Sequence, residues 1–294
     1  MSRVAWPCTN SGVIAILGGI GAALAWTATT LGASRATRHI DSWSLLATVM
    51  TIGLVISVPA AAVAGTPSGL DRSSVGWLVA AGCANVAGLL LTYRALAIGK
   101  VGVVAPITST EGGVAAVLAV LAGERLGGTT AAALVVIGIG VALAARTREA
   151  DPVLRRGDLA AAGLGGLAAL AFGGGLYSTA RVGQSLGVAW ATLPPRVVGV
   201  LVIALPLLLT RRWRLTRAAL PFALLCGVCE VLGFVSYAIG ARHGLAVSAV
   251  LASQFAALAA VAGYLLFRER LTRGQWAGVA AIVAGVSLLS VLHA

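Results

Sequence analysis

Two stretches of this chain, WSLLATVMTIGLVISVP at 43–59 and WATLPPRVVGVLVIALP at 190–206, are each long and apolar enough to cross a membrane, and they repeat each other. At a spacing of 147 residues the opening Trp, the Leu-Val-Ile triplet and the closing Pro coincide. Further matches follow in order at offsets of 144 to 147: LGG at 17–19 with LGG at 164–166, Trp26 with Phe172, Arg35 with Arg181, Tyr93 with Tyr237, and ERL at 124–126 with ERL at 269–271. The chain therefore contains an internal duplication.

The composition is that of a polytopic membrane protein. Hydrophobic residues make up 59% of the 294 residues and charged residues only 10%, against roughly a quarter charged in soluble domains. A bilayer core of about 30 Å takes roughly 20 apolar residues per helix, and the segments lack the alternation of an outer-membrane barrel. Ten helical spans are predicted, at 12–33, 41–64, 75–98, 101–122, 128–146, 158–180, 188–210, 218–240, 245–267 and 274–292.

Five spans fall in each half, and an odd number per half forces the second half to lie upside down relative to the first. The predicted fold is an all-α integral membrane protein whose ten transmembrane helices form two inverted five-helix repeats, 1–148 and 149–294. The longest polar connection, 147–157, joins them. Inverted repeats of this kind are typical of secondary transporters, which bind solutes near the bilayer midplane.

The net charge of +12 lies in short connections at helix ends, so it indicates orientation rather than nucleic-acid binding. Fifteen Lys and Arg residues fall on one side of the ten spans and five on the other, while Arg196 lies within a span. By the positive-inside rule the richer side is cytoplasmic, which predicts that both termini are outside. We expect a multi-pass protein of the cell membrane, in bacteria the inner membrane.

The sequence lacks the residues that are characteristic of ATP-driven pumps and of intramembrane enzymes. The connections leave no room for a nucleotide-binding domain, and no Walker A pattern is present. His39, His243 and His293 all lie outside the predicted spans, so no catalytic Ser-His pair or metal cluster is expected in the membrane. We expect neither enzymatic activity nor a cofactor.

Three ionisable residues lie in the middle of predicted spans, where a charged side chain costs a few kcal/mol. Glu111 lies about ten residues into the fourth span, with Thr108 one turn away; Glu230 lies at the centre of the eighth. Arg196 follows two prolines, Pro194 and Pro195, which loosen the seventh span. Either acid could bind a cationic or amino-bearing solute and exchange protons, or could instead neutralise Arg196.

Four further side chains are candidate substrate-binding residues. Gln254 lies close to the repeat counterpart of Glu111 and could be a cavity ligand or an interhelical hydrogen-bonding group. Trp26, Tyr177 and Tyr237, with Phe172, could form an aromatic wall that favours organic cations. Core packing is the alternative for Trp26.

The junction Ala122-Gly123-Glu124-Arg125-Leu126, its repeat Phe267-Arg268-Glu269-Arg270-Leu271, Tyr93-Arg94-Ala95-Leu96 and Ser-Thr-Glu at 109–111 resemble the EamA-type members of the drug/metabolite transporter superfamily. The resemblance spans essentially the whole chain. It implies secondary transport of small metabolites or drugs, often export, through a central cavity between the halves.

The sequence therefore predicts an exporter of amino-acid-like or cationic organic solutes that works by alternating access, with protons as the candidate coupling ion. A flippase for a lipid-linked metabolite and a passive channel remain alternatives. The expected partners are the small-molecule substrate and the lipid bilayer, with no nucleic acid, and the protein is expected to be a monomer or a homodimer.

Overall fold

The computed structural model describes residues 9–65, 67, 70–99, 104, 107–124, 127–144 and 156–255, with single positions beyond. Throughout these residues the ordered elements are helices. They are α1 (Thr9–Ala36), α2 (Ser42–Ala64), α3 (Arg72–Ile98), α4 (Glu111–Leu121), α5 (Gly128–Ala144), α6 (Arg156–Ser185), α7 (Val188–Leu209, interrupted), α8 (Leu220–Ala241) and α9 (Leu245–Ala252).

Six of these helices are long and apolar enough to cross a membrane: α1, α2, α3, α6, α7 and α8. Their positions confirm six of the predicted spans. The helical parts of the fourth, fifth and ninth predicted spans are shorter in the described residues, and the span predicted at 274–292 lies almost entirely outside them. Many large apolar side chains face outward, including Val63, Leu201 and Leu209, as expected of a surface that faces lipid.

Two acidic residues at helix starts hold α2 and α3 in place. Asp41 caps α2, where its carboxylate accepts hydrogen bonds from the Trp43 and Ser44 amides at 3.0 Å. Asp71 caps α3 by accepting from the Ser74 amide at 2.7 Å. Each cap satisfies backbone donors that the first helical turn leaves free.

The seventh span is irregular where Arg196 lies. It consists of Val188–Thr192, Pro194–Gly199, a π-helical turn at Val200–Ala204, and Leu205–Leu209. Proline removes a backbone donor and interrupts the helical ladder, as the sequence predicted for Pro194 and Pro195. Arg196 lies in the short helical segment between the break at Leu193 and the π-helical turn.

Two turns interrupt helical segments at matching positions in the two halves, immediately before α4 and immediately after α9. In the first, the Thr110 amide donates to Ile107 O at 3.2 Å; in the second, the Gln254 amide donates to Leu251 O at 3.1 Å, 144 residues later. The two turns lie close together, since a Cβ atom added to Gly112, just after the first turn, would lie 2.6 Å from Ser253 Oγ in the second. The equivalent of Glu111 is therefore Phe255, one residue beyond Gln254.

The helix pairings follow the duplication: if each helix is replaced by its counterpart in the other half, the same set of pairings is obtained. The two most extensive pairings are α1 with α8 and α3 with α6, which are equivalent by the duplication. Helices α2 and α7 pair with each other, as do α4 and α9. Small residues permit the close approach, since Gly18 on α1 lies against Gly240 on α8. This packing surrounds a central space with residues from both halves.

Candidate functional site

A cavity lies at the centre of the bundle, between residues of α1, α3, α6 and α8 and the segment that leads into α4. Its polar lining comes from Thr29, Thr30, Asn85, Thr92, Tyr93, Thr108, Glu111 and Glu230, and its aromatic lining from Trp26, Phe172, Phe234 and Phe255. The volume is about 60 Å³, well below the roughly 300–1,000 Å³ of most small-molecule sites. In this conformation the cavity admits little more than water, so a solute of metabolite size requires it to widen.

Both predicted carboxylates line this cavity. Glu111 is 4% exposed and Glu230 is 3% exposed, and they come from opposite halves of the chain. Thr108 lies beside them in the lining, where its hydroxyl donates to Val104 O at 3.0 Å. Glu111 is the first residue of α4 rather than the middle of a continuous helix, because the turn at Ser109 and Thr110 precedes it.

Arg196 is fully buried and pairs with Glu230, not with Glu111. Its Nη1 lies 3.9 Å from Glu230 Oε1, at the long end of the range for an ion pair. Its guanidinium carbon lies 5.1 Å from the Phe234 ring centroid, which is cation–π distance. The side chain passes over Gly53, where a Cβ atom would lie 2.6 Å from Arg196 Cδ. Arg196 lies behind the cavity wall formed by Glu230 and Phe234, rather than in the lining itself.

The region around Arg196 holds an unusual set of buried polar atoms without hydrogen-bond partners among the described residues. They include Nε, Nη1 and Nη2 of Arg196, Trp26 Nε1 and Tyr93 Oη. Buried polar groups nearly always have partners in proteins, and water or a ligand supplies them where protein does not. Several donors and acceptors thus point to a hydrated or ligand-binding site.

Asn85 and Tyr93 were not among the predicted site residues, and Tyr93 was noted in the sequence only as part of the repeat and of the family motif. Asn85 is 1% exposed, lies in mid-span on α3 and lines the cavity. A search restricted to ionisable side chains passes over it, whereas its mid-span position in an apolar helix is a signal that could have found it.

The predicted aromatic wall is only partly assembled at the cavity. Trp26 and Phe172 line it, and the Trp26 ring meets Phe234 edge to face, with centroids 5.4 Å apart. Tyr237 packs at 6.3 Å from Trp26, and its hydroxyl donates to Leu176 O at 2.9 Å. Tyr177 lies elsewhere, with its ring 5.6 Å from that of Trp77.

Gln254 is buried in the turn after α9 and is not in the cavity lining. Its Nε2 donates to Val250 O at 2.9 Å, and its Oε1 has no partner among the described residues. Phe255, the next residue, faces the cavity instead. Its carbonyl accepts a hydrogen bond from the Thr27 hydroxyl at 3.1 Å, which ties this turn to α1.

Glu124 lies at a helix end beside Arg125, a position from which the sequence predicts that it fixes the turn through an ion pair or a contact with a helix end. Arg125 lies outside the described residues. Glu124 Oε1 accepts a hydrogen bond from the Ala246 amide in the first turn of α9, at 3.3 Å, which is a contact with a helix end. Partial burial raises the pKa of the Glu124 carboxyl, and the hydrogen bond from Ala246 opposes this rise.

Six long apolar helices around a central cavity that contains two carboxylates define a multi-pass membrane protein. Residues 13–146 and 159–291 each match the EamA-like transporter family. Since these matches cover most of the chain, the protein belongs to that family, and it is a membrane transporter of small solutes.

A solved structure, described only as a protein crystal structure, is similar in fold. It has a TM-score of 0.73 and 18% sequence identity, and the alignment covers 95% of this chain and 96% of the other. No curated protein matches significantly.

Proposed function

We propose that the protein is a secondary transporter that exports small amino-acid-like or cationic organic solutes, coupled to protons, by alternating access. The observation that carries this proposal is the pair of buried carboxylates, Glu111 and Glu230, in a cavity between the two halves. Intramembrane acids in water-filled cavities are the usual ligands of cations and carriers of protons.

The proposed architecture is ten transmembrane helices in two inverted repeats of five. Support comes from the two family matches of similar length and from helix pairings that exchange when the halves are exchanged. The turns before α4 and after α9, 144 residues apart, are further support. In such a protein the halves rock about a central site.

The contacts of Glu230 suggest how a solute would be held. Glu230 faces the cavity but is shared with Arg196 at a long distance of 3.9 Å. An amino group of a solute could therefore compete for the carboxylate without breaking a tight hydrogen bond. Glu111 has no such cation beside it among the described ion pairs, so it offers a carboxylate for a second contact or for a proton.

Transport by purified protein in liposomes tests the proposal. Candidate amino acids, polyamines and cationic drugs would be loaded in turn, and their efflux measured with and without an imposed pH gradient. Glu111→Gln and Glu230→Gln each remove one carboxylate while keeping the side-chain shape, and we expect at least a tenfold loss of flux and of its pH dependence.

The matched control is Asp41→Asn, which changes a carboxylate to an amide at an exposed helix cap. Asparagine also caps helices well, so its flux should equal that of the parent protein. Unchanged flux and pH dependence in both cavity variants would refute the role of the acids. Single-channel currents would identify a passive channel instead.

A further inference from the structure

A second cavity, which we call the vestibule, lies next to the central one. Its volume is about 310 Å³, at the lower end of the range for small-molecule sites. Its charged and polar lining residues are Glu124, Tyr177, Arg181, Gln184, Arg242 and His243. These residues lie at the carboxyl ends of α4, α6 and α8 or just beyond, and the positive-inside rule predicts that these ends lie on the outer face of the membrane.

The two cavities follow one another along the same helices. On α6, Leu176 lines the central cavity and Arg181 lines the vestibule; on α8, Phe234 lines the central cavity and Ala241 the vestibule. Seven residues separate Phe234 from Ala241, or about 10 Å of helix. The vestibule is therefore in line with the central cavity, roughly two helical turns nearer the membrane surface.

Tyr237 lies in the layer between the two cavities. It is fully buried on α8, between Phe234 and Ala241. Its hydroxyl donates to Leu176 O at 2.9 Å and so joins α8 to α6, while its ring packs against Trp26 of α1. Three helices thus meet at one side chain that lines neither cavity.

The charges of the vestibule favour an anionic group. Two guanidinium groups, those of Arg181 and Arg242, line the vestibule together with one carboxylate, Glu124, which already accepts a hydrogen bond from the Ala246 amide. The guanidinium of Arg181 lies 5.9 Å from the Trp77 ring centroid, which is within cation–π distance. A concave surface with an excess of positive charge raises the local concentration of anionic solutes.

We propose that the vestibule is a second solute site, which binds solutes bearing a carboxylate or another anionic group, and that Tyr237 closes the passage between it and the central cavity. The proposal rests on the proposed transport function, in which a solute would pass from one site to the other. It assigns Tyr237 to a gate rather than to the solute-binding wall expected from the sequence.

Thiol labelling of single-cysteine variants tests both parts. The four native cysteines are replaced by alanine, and Gln184→Cys reports on the vestibule while Thr29→Cys reports on the central cavity. Right-side-out and inside-out membrane vesicles are treated with an anionic sulfonatoethyl and a cationic trimethylammonioethyl methanethiosulfonate. Rates are normalised to those with 2-mercaptoethanol, and Ser73→Cys, exposed in the first turn of α3, is the matched position outside the vestibule.

The side from which Gln184→Cys reacts defines the vestibule side. We expect its normalised rate to favour the anionic reagent about tenfold, the low end of electrostatic focusing. Ser73→Cys should show no such preference, and Arg242→Gln should reduce the preference at Gln184→Cys at least threefold. An equal normalised rate for the two reagents at Gln184→Cys would overturn the anion site.

From the same side, Thr29→Cys should be protected while Tyr237 is present and react at least tenfold faster with Tyr237→Ala. Tyr237→Phe keeps the ring and loses only the hydrogen bond, so Thr29→Cys should react in this background at a rate between those with Tyr237 and with Tyr237→Ala. If the alanine variant does not fold, Tyr237→Phe alone tests the gate. Fast labelling of Thr29→Cys with Tyr237 intact, or no acceleration in either variant, would overturn the gate. Labelling reports these sites without transport, so absent flux with the expected labelling would refute only the proposed function.

Discussion

Replacing Glu230 by Gln removes the charge that faces Arg196 and leaves the shape of the side chain nearly unchanged. Arg196 is fully buried, its three guanidinium nitrogens have no hydrogen-bond partners among the described residues, and its nearest anionic atom is Glu230 Oε1 at 3.9 Å. The variant therefore leaves a buried cation without its counter-charge. We expect Glu230→Gln to lower the free energy of unfolding substantially.

The magnitude follows from the distance. Two unit charges 3.9 Å apart attract by about 4 kcal/mol at an effective dielectric constant of 20. Removing one partner of a buried pair typically costs about 3–5 kcal/mol, and the long distance places this pair near 3. Arg196→Gln should cost less, about 2 kcal/mol, because a carboxyl group left alone can be neutralised by a proton, whereas a guanidinium cannot.

A double-mutant cycle measures the interaction itself. Glu230→Gln, Arg196→Gln and the double variant would be unfolded reversibly in mixed detergent micelles and followed by circular dichroism. The double variant contains no buried charge at this place, so we expect it to cost about 3 kcal/mol rather than the sum of about 5. If the two single effects simply add, Arg196 and Glu230 are not energetically coupled and the reasoning is wrong.

Three further predictions rest on local geometry. Gly112→Ala should destabilise the protein by about 2 kcal/mol in the same unfolding assay, because the added Cβ atom would lie 2.5 Å from Ala249 O. Gly113→Ala is the control and should be neutral, since nothing lies within 4 Å of its added Cβ atom. Equal effects of the two variants would contradict the close crossing of α4 and α9. Tyr237→Phe should cost about 1 kcal/mol for the lost hydrogen bond to Leu176 O, and no change in unfolding would show that this bond does not form. Hydrogen bonds from Ser74 hold the pKa of Asp71 below its usual value. The stability that the Asp71 carboxylate adds is therefore complete above about pH 3.9 and is lost as the pH falls through the lower pKa of the folded state. Asp71→Ala should lower the melting temperature at pH 7 but not near pH 2, and a difference that does not depend on pH would refute this.

The long spans could be read from the sequence because lipid leaves the backbone few solutions. Predicted boundaries for α1, α2, α3, α6, α7 and α8 agree with the helices to within a few residues. The interruptions before α4 and after α9 could not be predicted from hydropathy, since Ser253 and Thr110 are small and uncharged. Their hydroxyls donate to carbonyls three residues back, at 2.8 and 2.7 Å, and such local bonds compete with the helical ladder.

The site was predicted in part, and the errors have simple geometric causes. Glu111, Glu230 and Trp26 line the cavity as expected, since a polar or bulky residue in mid-span has few other places to lie. Tyr177 is one residue beyond Leu176, and one residue turns a helix by about 100°, which is enough to move its side chain from the central cavity to the vestibule. Which acid faces Arg196 depends on helix packing, and no spacing within one sequence encodes it.

The duplication offers a control within the chain for the charged residues. The counterparts of Arg196 and Glu230 in the first half are Val49 and Val86, and both valines are buried in the same apolar cluster as Tyr93. The first half thus builds equivalent helices with apolar side chains at these two positions, so the scaffold does not require a cation and an anion there. A buried ion pair generally contributes little net stability compared with apolar residues of similar size. The pair at Arg196 and Glu230 is therefore better explained by a role in solute or proton binding than by a role in folding, and the double variant Arg196→Val with Glu230→Val should remain folded while losing transport.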